Sequence, residues 1–206
     1  METRQGTQGM CQPDPAAWPR RRRGDLKSGT ASSDDVVTMI PAPIPNNDAQ
    51  RLQALYQLLI LDTPPEARFD RIVAFAADEF DMPVAQISLI DHDRQWAKAR
   101  VGIEPCEMPR GNSVCGHLLD KPQGLVVPDL TADERFHDNT VLIDEVGLRF
   151  YAGSPLVMPD GHVMGALCVM DRRPREFDAT DRAILDALRD LVVMELAGQG
   201  KGDDAT

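Results

Sequence analysis

The 206-residue chain is 42% hydrophobic and 27% charged, enough apolar material for one domain-sized core and too much for global disorder. Its formal net charge of −11 argues against general nucleic-acid binding and against adhesion to anionic membranes. No apolar run approaches the roughly 18 residues of a membrane span, and no signal-type stretch opens the chain, so the expected location is the cytoplasm.

Residues 1–47 hold six basic and five acidic residues, six prolines and four glycines, with no helical or strand period. They read as a disordered tail, and the Arg20–Arg23 run as a solvated part of it. Residues 48–206 then carry −12. The expected domain is 48–197, followed by a Gly- and Asp-rich C-terminal tail at 198–206.

Leu52, Leu55, Tyr56 and Leu59 share one helix face. Leu58, Ile60 and Leu61 add apolar surface elsewhere, so a helix at 50–61 must be buried twice or meet a partner. Thr63, Pro64 and Glu66 have the spacing of a capping box. It opens a helix with Phe69, Ile72, Val73, Ala76 and Phe80 on one stripe, stopped by Pro83. Val84–Ile90 alternates as a strand, with Ala85, Ile87 and Leu89 opposite Gln86 and Ser88. After the polar turn 91–94, residues 95–101 alternate again, with Ala97, Ala99 and Val101 opposite Trp96, Lys98 and Arg100.

Residues 102–111 read as a loop. A short helix is expected at 113–120, capped by Asn112 or Ser113. Leu125–Val127 is a short β run. Residues 129–148 are polar and irregular, with one helical turn near Val141–Val146. Phe150–Met158 and Val163–Met170 form a hairpin across Pro159-Asp160-Gly161-His162. Asp178 or Thr180 caps a last helix with a broad stripe (Ile184, Leu185, Leu188, Leu191, Val192, Leu196) and a second one beside it (Ala183, Ala187, Met194). Sheet segments that come in hairpins, with helices before and after, predict an α+β domain with an antiparallel sheet. The long irregular stretch 102–149 is the place to look for a site.

Residues 48–197 resemble a GAF domain of the kind found with diguanylate cyclases and histidine kinases. The matching stretches are 61–66 (LDTPPE), 88–96 (SLIDHDRQW), 109–117 (PRGNSVCGH), 127–129 (VPD), 149–156 (RFYAGSPL) and 165–171 (GALCVMD). The resemblance implies a central antiparallel sheet of five to six strands. Helices would cover one face, and loops and short helices would roof a small-molecule pocket on the other. It implies a bacterial sensory or regulatory protein in signal transduction, not an enzyme. It also implies a homodimer through helices 50–61 and 180–197, with a histidine kinase or diguanylate cyclase as output partner. With no output domain after residue 197, the signal is expected to pass to another chain.

Pocket candidates are Cys115, His117, Asp129, Phe136, Asn139, Arg149 and Tyr151. Asp129 and Arg149 suit a polar or zwitterionic ligand. The bland alternative has Asp129 capping a turn after Pro128 and Arg149 paired with a local carboxylate such as Asp144. No cofactor follows from the sequence. His92, His137 and His162 lie in separate turns and give Cys115 and His117 no metal-ligand spacing. The wider signatures of bilin attachment are missing around that pair, and packing is the ordinary fate of such a cysteine.

Three other readings stand beside the sensor. Free methionine-(R)-sulfoxide reductases, a GAF family, use cysteines in this loop region. Cys106 and Cys115 sit nine apart here, but Leu130–Glu145 holds no attacking cysteine. Cyclic-nucleotide-binding GAF domains carry an Asn-Lys-Phe-Asp-Glu motif, and here Asn139-Thr140-Val141 and Asp144-Glu145 lack the Lys-Phe between. A structural dimerisation module with a filled pocket is the third. The four cysteines (Cys11, Cys106, Cys115, Cys168) form no CxxC pair and suggest no disulfide framework.

Overall fold

The computed structural model describes residues 40–104, 106–139 and 141–198. Most of the expected N-terminal tail, and the C-terminal one from residue 199, lie outside the described residues. Residues 40–47 differ from the tail expectation: Ala42 is buried, and its N–H reaches Gly111 O at 3.4 Å.

Six strands form one sheet: β1 (Val84–Ile90), β2 (Arg94–Val101), β3 (Glu107–Pro109), β4 (Leu125–Val127), β5 (Phe150–Val157) and β6 (Val163–Asp171). Their order is β3-β2-β1-β6-β5-β4, and every neighbouring pair is antiparallel. Helices α1 (Asp48–Gln57), α2 (Ala67–Glu79) and α3 (Ala179–Gly198) bury Leu55, Phe69, Val73 and Val192 against Ile87 and Leu167 on one face. A second core, with Ile90, Leu118, Phe136 and Leu148, fills the opposite face beneath the long connections. Because both faces are covered, every residue of β1 is buried, Gln86 and Ser88 included. The expected α+β architecture is present, with β3 added where a loop was expected.

Four local differences have physical causes. First, β1 and β2 pair Ile87 with Ala99 but Ser88 with Ala97, leaving Lys98 as the extra residue of a bulge. The bulge shifts the alternation by one, so Trp96 and Ala99 both join the helix-side core, although the sequence placed them on opposite faces. Second, the Lys98 ammonium turns toward the helices, where it donates to Thr63 Oγ1 at 2.7 Å and Pro64 O at 2.9 Å and pairs with Glu66. Those partners are the ones the capping box needed. Thr63 Oγ donates to Ile60 O, α2 starts at Ala67, and Glu66 makes no side-chain cap bond.

Third, α1 stops at Gln57, short of the expected 50–61. Leu59 takes a left-handed backbone (φ 49°), which sends Ile60 into the core and leaves Leu59 itself 83% exposed. Fourth, α3 starts as expected under Asp178, whose Oδ1 accepts from Thr180 N and Asp181 N at 2.7 and 2.9 Å, but its buried stripe is narrower than expected. On α3, Leu185, Leu188, Val192 and Leu196 are buried, while Leu191 turns outward with Met194.

Candidate functional site: a roofed cavity on the strand face

The roof is made from short turns: 3-10 turns at Arg110–Asn112, Cys115–Leu118 and Leu130–Ala132, and a π-type turn at Val141–Glu145. Side chains with two hydrogen-bonding ends hold them together. Ser113 Oγ accepts from Gly116 N at 2.8 Å and donates to Gln95 Oε1. Asn139 Nδ2 donates to Asn112 O at 3.0 Å while its Oδ1 accepts from Leu142 N at 3.2 Å. Outside the roof lies the 40–46 segment, against Gly116. A Cβ on that glycine would sit 2.6 Å from Ala42 Cβ, so only glycine permits the contact.

Beneath the roof is a cavity of about 30 Å³, the space of about one water. Its walls include Met108, Leu130, Leu142 and Met170, with Gln86, Gln95, Glu107 and Tyr151 as polar features. Gln95 Nε2 donates to Gln86 Oε1 at 3.4 Å. The bulge at Lys98 creates this meeting, because it puts Gln95 on the same face as Gln86.

The seven sequence candidates separate into four groups. Cys115 and Tyr151 line the cavity, with the Tyr151 hydroxyl donating to Cys115 Sγ at 3.1 Å. His117 and Phe136 are buried in the roof's own core as an edge-to-face pair with centroids 4.9 Å apart. Burial, then the nearby Arg135 charge, hold the His117 pKa below its ordinary value, and its Nε2 has no hydrogen-bond partner among the described residues. Asn139 is a brace.

Asp129 and Arg149 form a two-point ion pair at the rim, Nε–Oδ1 2.9 Å and Nη2–Oδ2 2.6 Å. Asp129 Oδ1 also accepts from Thr131 N at 3.1 Å, capping the turn after Pro128. The alternative reading therefore holds for both: Asp129 caps the turn, and Arg149 pairs with a local carboxylate, which is Asp129. The Arg149 guanidinium holds the Asp129 carboxyl well below the usual carboxylate range. Sequence reasoning missed Gln86, Gln95, Met108, Leu130, Leu142 and Met170. The polar face of β1 was the available signal for Gln86; the bulge hid Gln95.

A family model described as GAF domain matches residues 52–196. The chain belongs to the GAF domain family. This GAF domain is 36% identical over 159 residues to a cyclic di-GMP phosphodiesterase of Pseudomonas aeruginosa; the match covers 77% of this chain and 27% of that protein. The chain thus spans about a quarter of the length of that relative. Among solved structures it is similar to the GAF domain of an Acinetobacter phosphoenolpyruvate-protein phosphotransferase (21% identity, 75% of this chain and 98% of that one, TM-score 0.55). It is similar also to the free methionine-R-sulfoxide reductase of Neisseria meningitidis (19% identity, 77% and 95%, TM-score 0.55). At these identities the two structures show the common fold.

Within the GAF domain, Cys115 and Cys168 are free and buried. Cys106 is disulfide-bonded, a departure from the expectation of no disulfide framework. Among the described residues no group of three or more His, Cys, Asp or Glu side chains is placed to hold a metal ion, and no helix is long and apolar enough to cross a membrane.

Proposed function

We propose that this GAF domain is a non-catalytic regulatory module in cytoplasmic signalling, responding to a small molecule under the roof and passing the response to a separate output protein. The observation that carries the reading is the cavity itself: largely apolar walls with Gln86, Gln95, Glu107 and Tyr151 among them, the composition of a small-ligand site. Its volume of about 30 Å³ means that any ligand larger than water enters only when the roof moves. The relative named as a cyclic di-GMP phosphodiesterase supports an output in cyclic di-GMP turnover, with a diguanylate cyclase, such a phosphodiesterase or a histidine kinase as the partner class.

The response leaves through the helix layer. Tyr56 and Leu59 at the end of α1, Phe75 on α2, and Leu191 and Met194 on α3 are large apolar side chains exposed to solvent. A homodimer through the 50–61 and 180–197 segments would cover four of them. Native mass spectrometry of protein purified from its own host tests both parts: it reads ligand mass and oligomeric state from one spectrum.

One observation favours a second reading, a dimerisation module with a filled pocket. The Tyr151 ring occupies the space beneath the roof and seats its hydroxyl on Cys115. A ligand-free dimer in that spectrum selects this reading over the sensor.

A further inference from the structure

Cys115 and Cys168 come from different layers, the roof and the central strand β6, yet their Sγ atoms are 3.7 Å apart. Van der Waals contact between two free thiols is the starting geometry for a disulfide, whose bond needs a further approach to about 2.05 Å. The pair is asymmetric. Cys115 lies on the cavity wall, and Cys168 lies behind it, 3.5 Å from Gln86 O. The Tyr151 hydroxyl donates to Cys115 Sγ at 3.1 Å, a hydrogen bond that favours the thiolate at this sulfur. The cavity beside Cys115 has the space of about one water, and hydrogen peroxide is a two-electron oxidant only slightly larger than water.

The geometry points to Cys115, Cys168 and Tyr151 as a peroxide-responsive thiol site, in which Cys115 is oxidised first and Cys168 closes a disulfide that ties the roof to the sheet. Hydrogen bonding from Cys168, joined by Ser88 and Tyr151, draws the Cys115 thiol below its ordinary pKa against the effect of burial. The same contact, together with burial, pushes Cys168 up. These directions agree with Cys115 as attacker and Cys168 as resolver.

The steps balance. The Cys115 thiolate attacks one oxygen of hydrogen peroxide; the S–O bond forms, the O–O bond breaks, and the departing hydroxide takes the proton released by Cys115 to become water. Cys168 sulfur then attacks the Cys115 sulfenic sulfur. The S–S bond forms, the S–O bond breaks, and the leaving hydroxide takes the Cys168 proton as a second water. Two thiols are oxidised by two electrons, and one peroxide is reduced to two waters.

The test is non-reducing peptide mapping by mass spectrometry of the folded full chain after graded hydrogen peroxide. The expected product joins the Cys115 peptide to the Cys168 peptide, lighter by two hydrogen atoms than the two separate peptides. In Cys168→Ser, Cys115 is instead trapped as the dimedone adduct of its sulfenic acid. Tyr151→Phe slows Cys115 oxidation about tenfold. Unmodified Cys115 and Cys168 in peroxide-treated wild type, or Cys115 joined only to another cysteine, overturns the site; the wild-type map needs no variant to fold.

Discussion

The Arg110 guanidinium grips the Asp48 carboxylate at two points, Nη1–Oδ2 2.8 Å and Nη2–Oδ1 2.9 Å, joining the start of the roof to the start of α1. Arg51 shares the same carboxylate at 2.7 Å and donates to Ile90 O at 2.6 Å. Two nearly buried arginines therefore depend on one acid, and the roof is mechanically coupled to a helix of the proposed dimer layer. Asp48→Asn leaves both cations without their counter-charge, at a cost of about 3 kcal/mol in folding stability. Urea denaturation of wild type and variant measures it.

Asp48 also sets a pH dependence. Burial raises its carboxyl pKa, but hydrogen bonds and charge from Arg110 and Arg51 outweigh burial and leave it lowered. The folded state thus binds fewer protons than the unfolded one. This contribution is complete above the ordinary carboxylate pKa of about 4 and is lost as pH falls through the lower folded value. Asp133 and Asp171 shift in the same direction, whereas Asp70, raised by burial, opposes them. A midpoint in urea that declines below pH 4 in wild type and less steeply in Asp48→Asn is the expected result.

His117 acts in the same direction nearer neutrality. Burial, followed by the Arg135 charge, lowers its pKa from 6.5, so stability is complete above 6.5 and falls as pH drops through the lower folded value. The imidazole proton resonance of His117 is expected to titrate with a midpoint below 6.5, by NMR.

Much of the fold could be read from residue pattern, because α2 and α3 carry a helical period, β1 alternates, and β5 and β6 are apolar runs of eight and nine residues on either side of a turn. The failures lie where a distant group overrides a local signal. Thr63 and Glu66 have capping-box spacing, but the Lys98 ammonium draws both toward itself. β3 is three residues long and ends in Pro109, too short for alternation to register. At the site, Cys115 and Tyr151 were readable from the roof pattern. Gln95 was not, since its side depends on a bulge set by cross-strand pairing. Asp129 and Arg149 could be read as roof charges, whereas their pairing needed three dimensions.

Gly116 reports on the segment that leads into α1. Gly116→Ala places a Cβ 2.6 Å from Ala42 Cβ, and the 40–46 segment must lift from the roof. The expected cost is about 1–3 kcal/mol, with faster cleavage near residues 40–47 in limited proteolysis and little change at the α3 end.

The helix layer is tested by charge. Leu191 and Met194 are 47% and 69% exposed, so Leu191→Lys with Met194→Lys leaves the core intact. If the proposed homodimer forms, wild type is expected to sediment as a dimer and the double variant as a monomer with an unchanged circular dichroism spectrum.

Whether a small molecule under the roof acts through a dimer is decided by native mass spectrometry of the full chain purified from its own host. The expected spectrum is a dimer carrying a stoichiometric adduct of small-molecule mass, which Tyr151→Phe or Gln86→Leu weakens. A monomer, or a dimer whose mass is that of the polypeptide alone across a panel of host extracts, would contradict it.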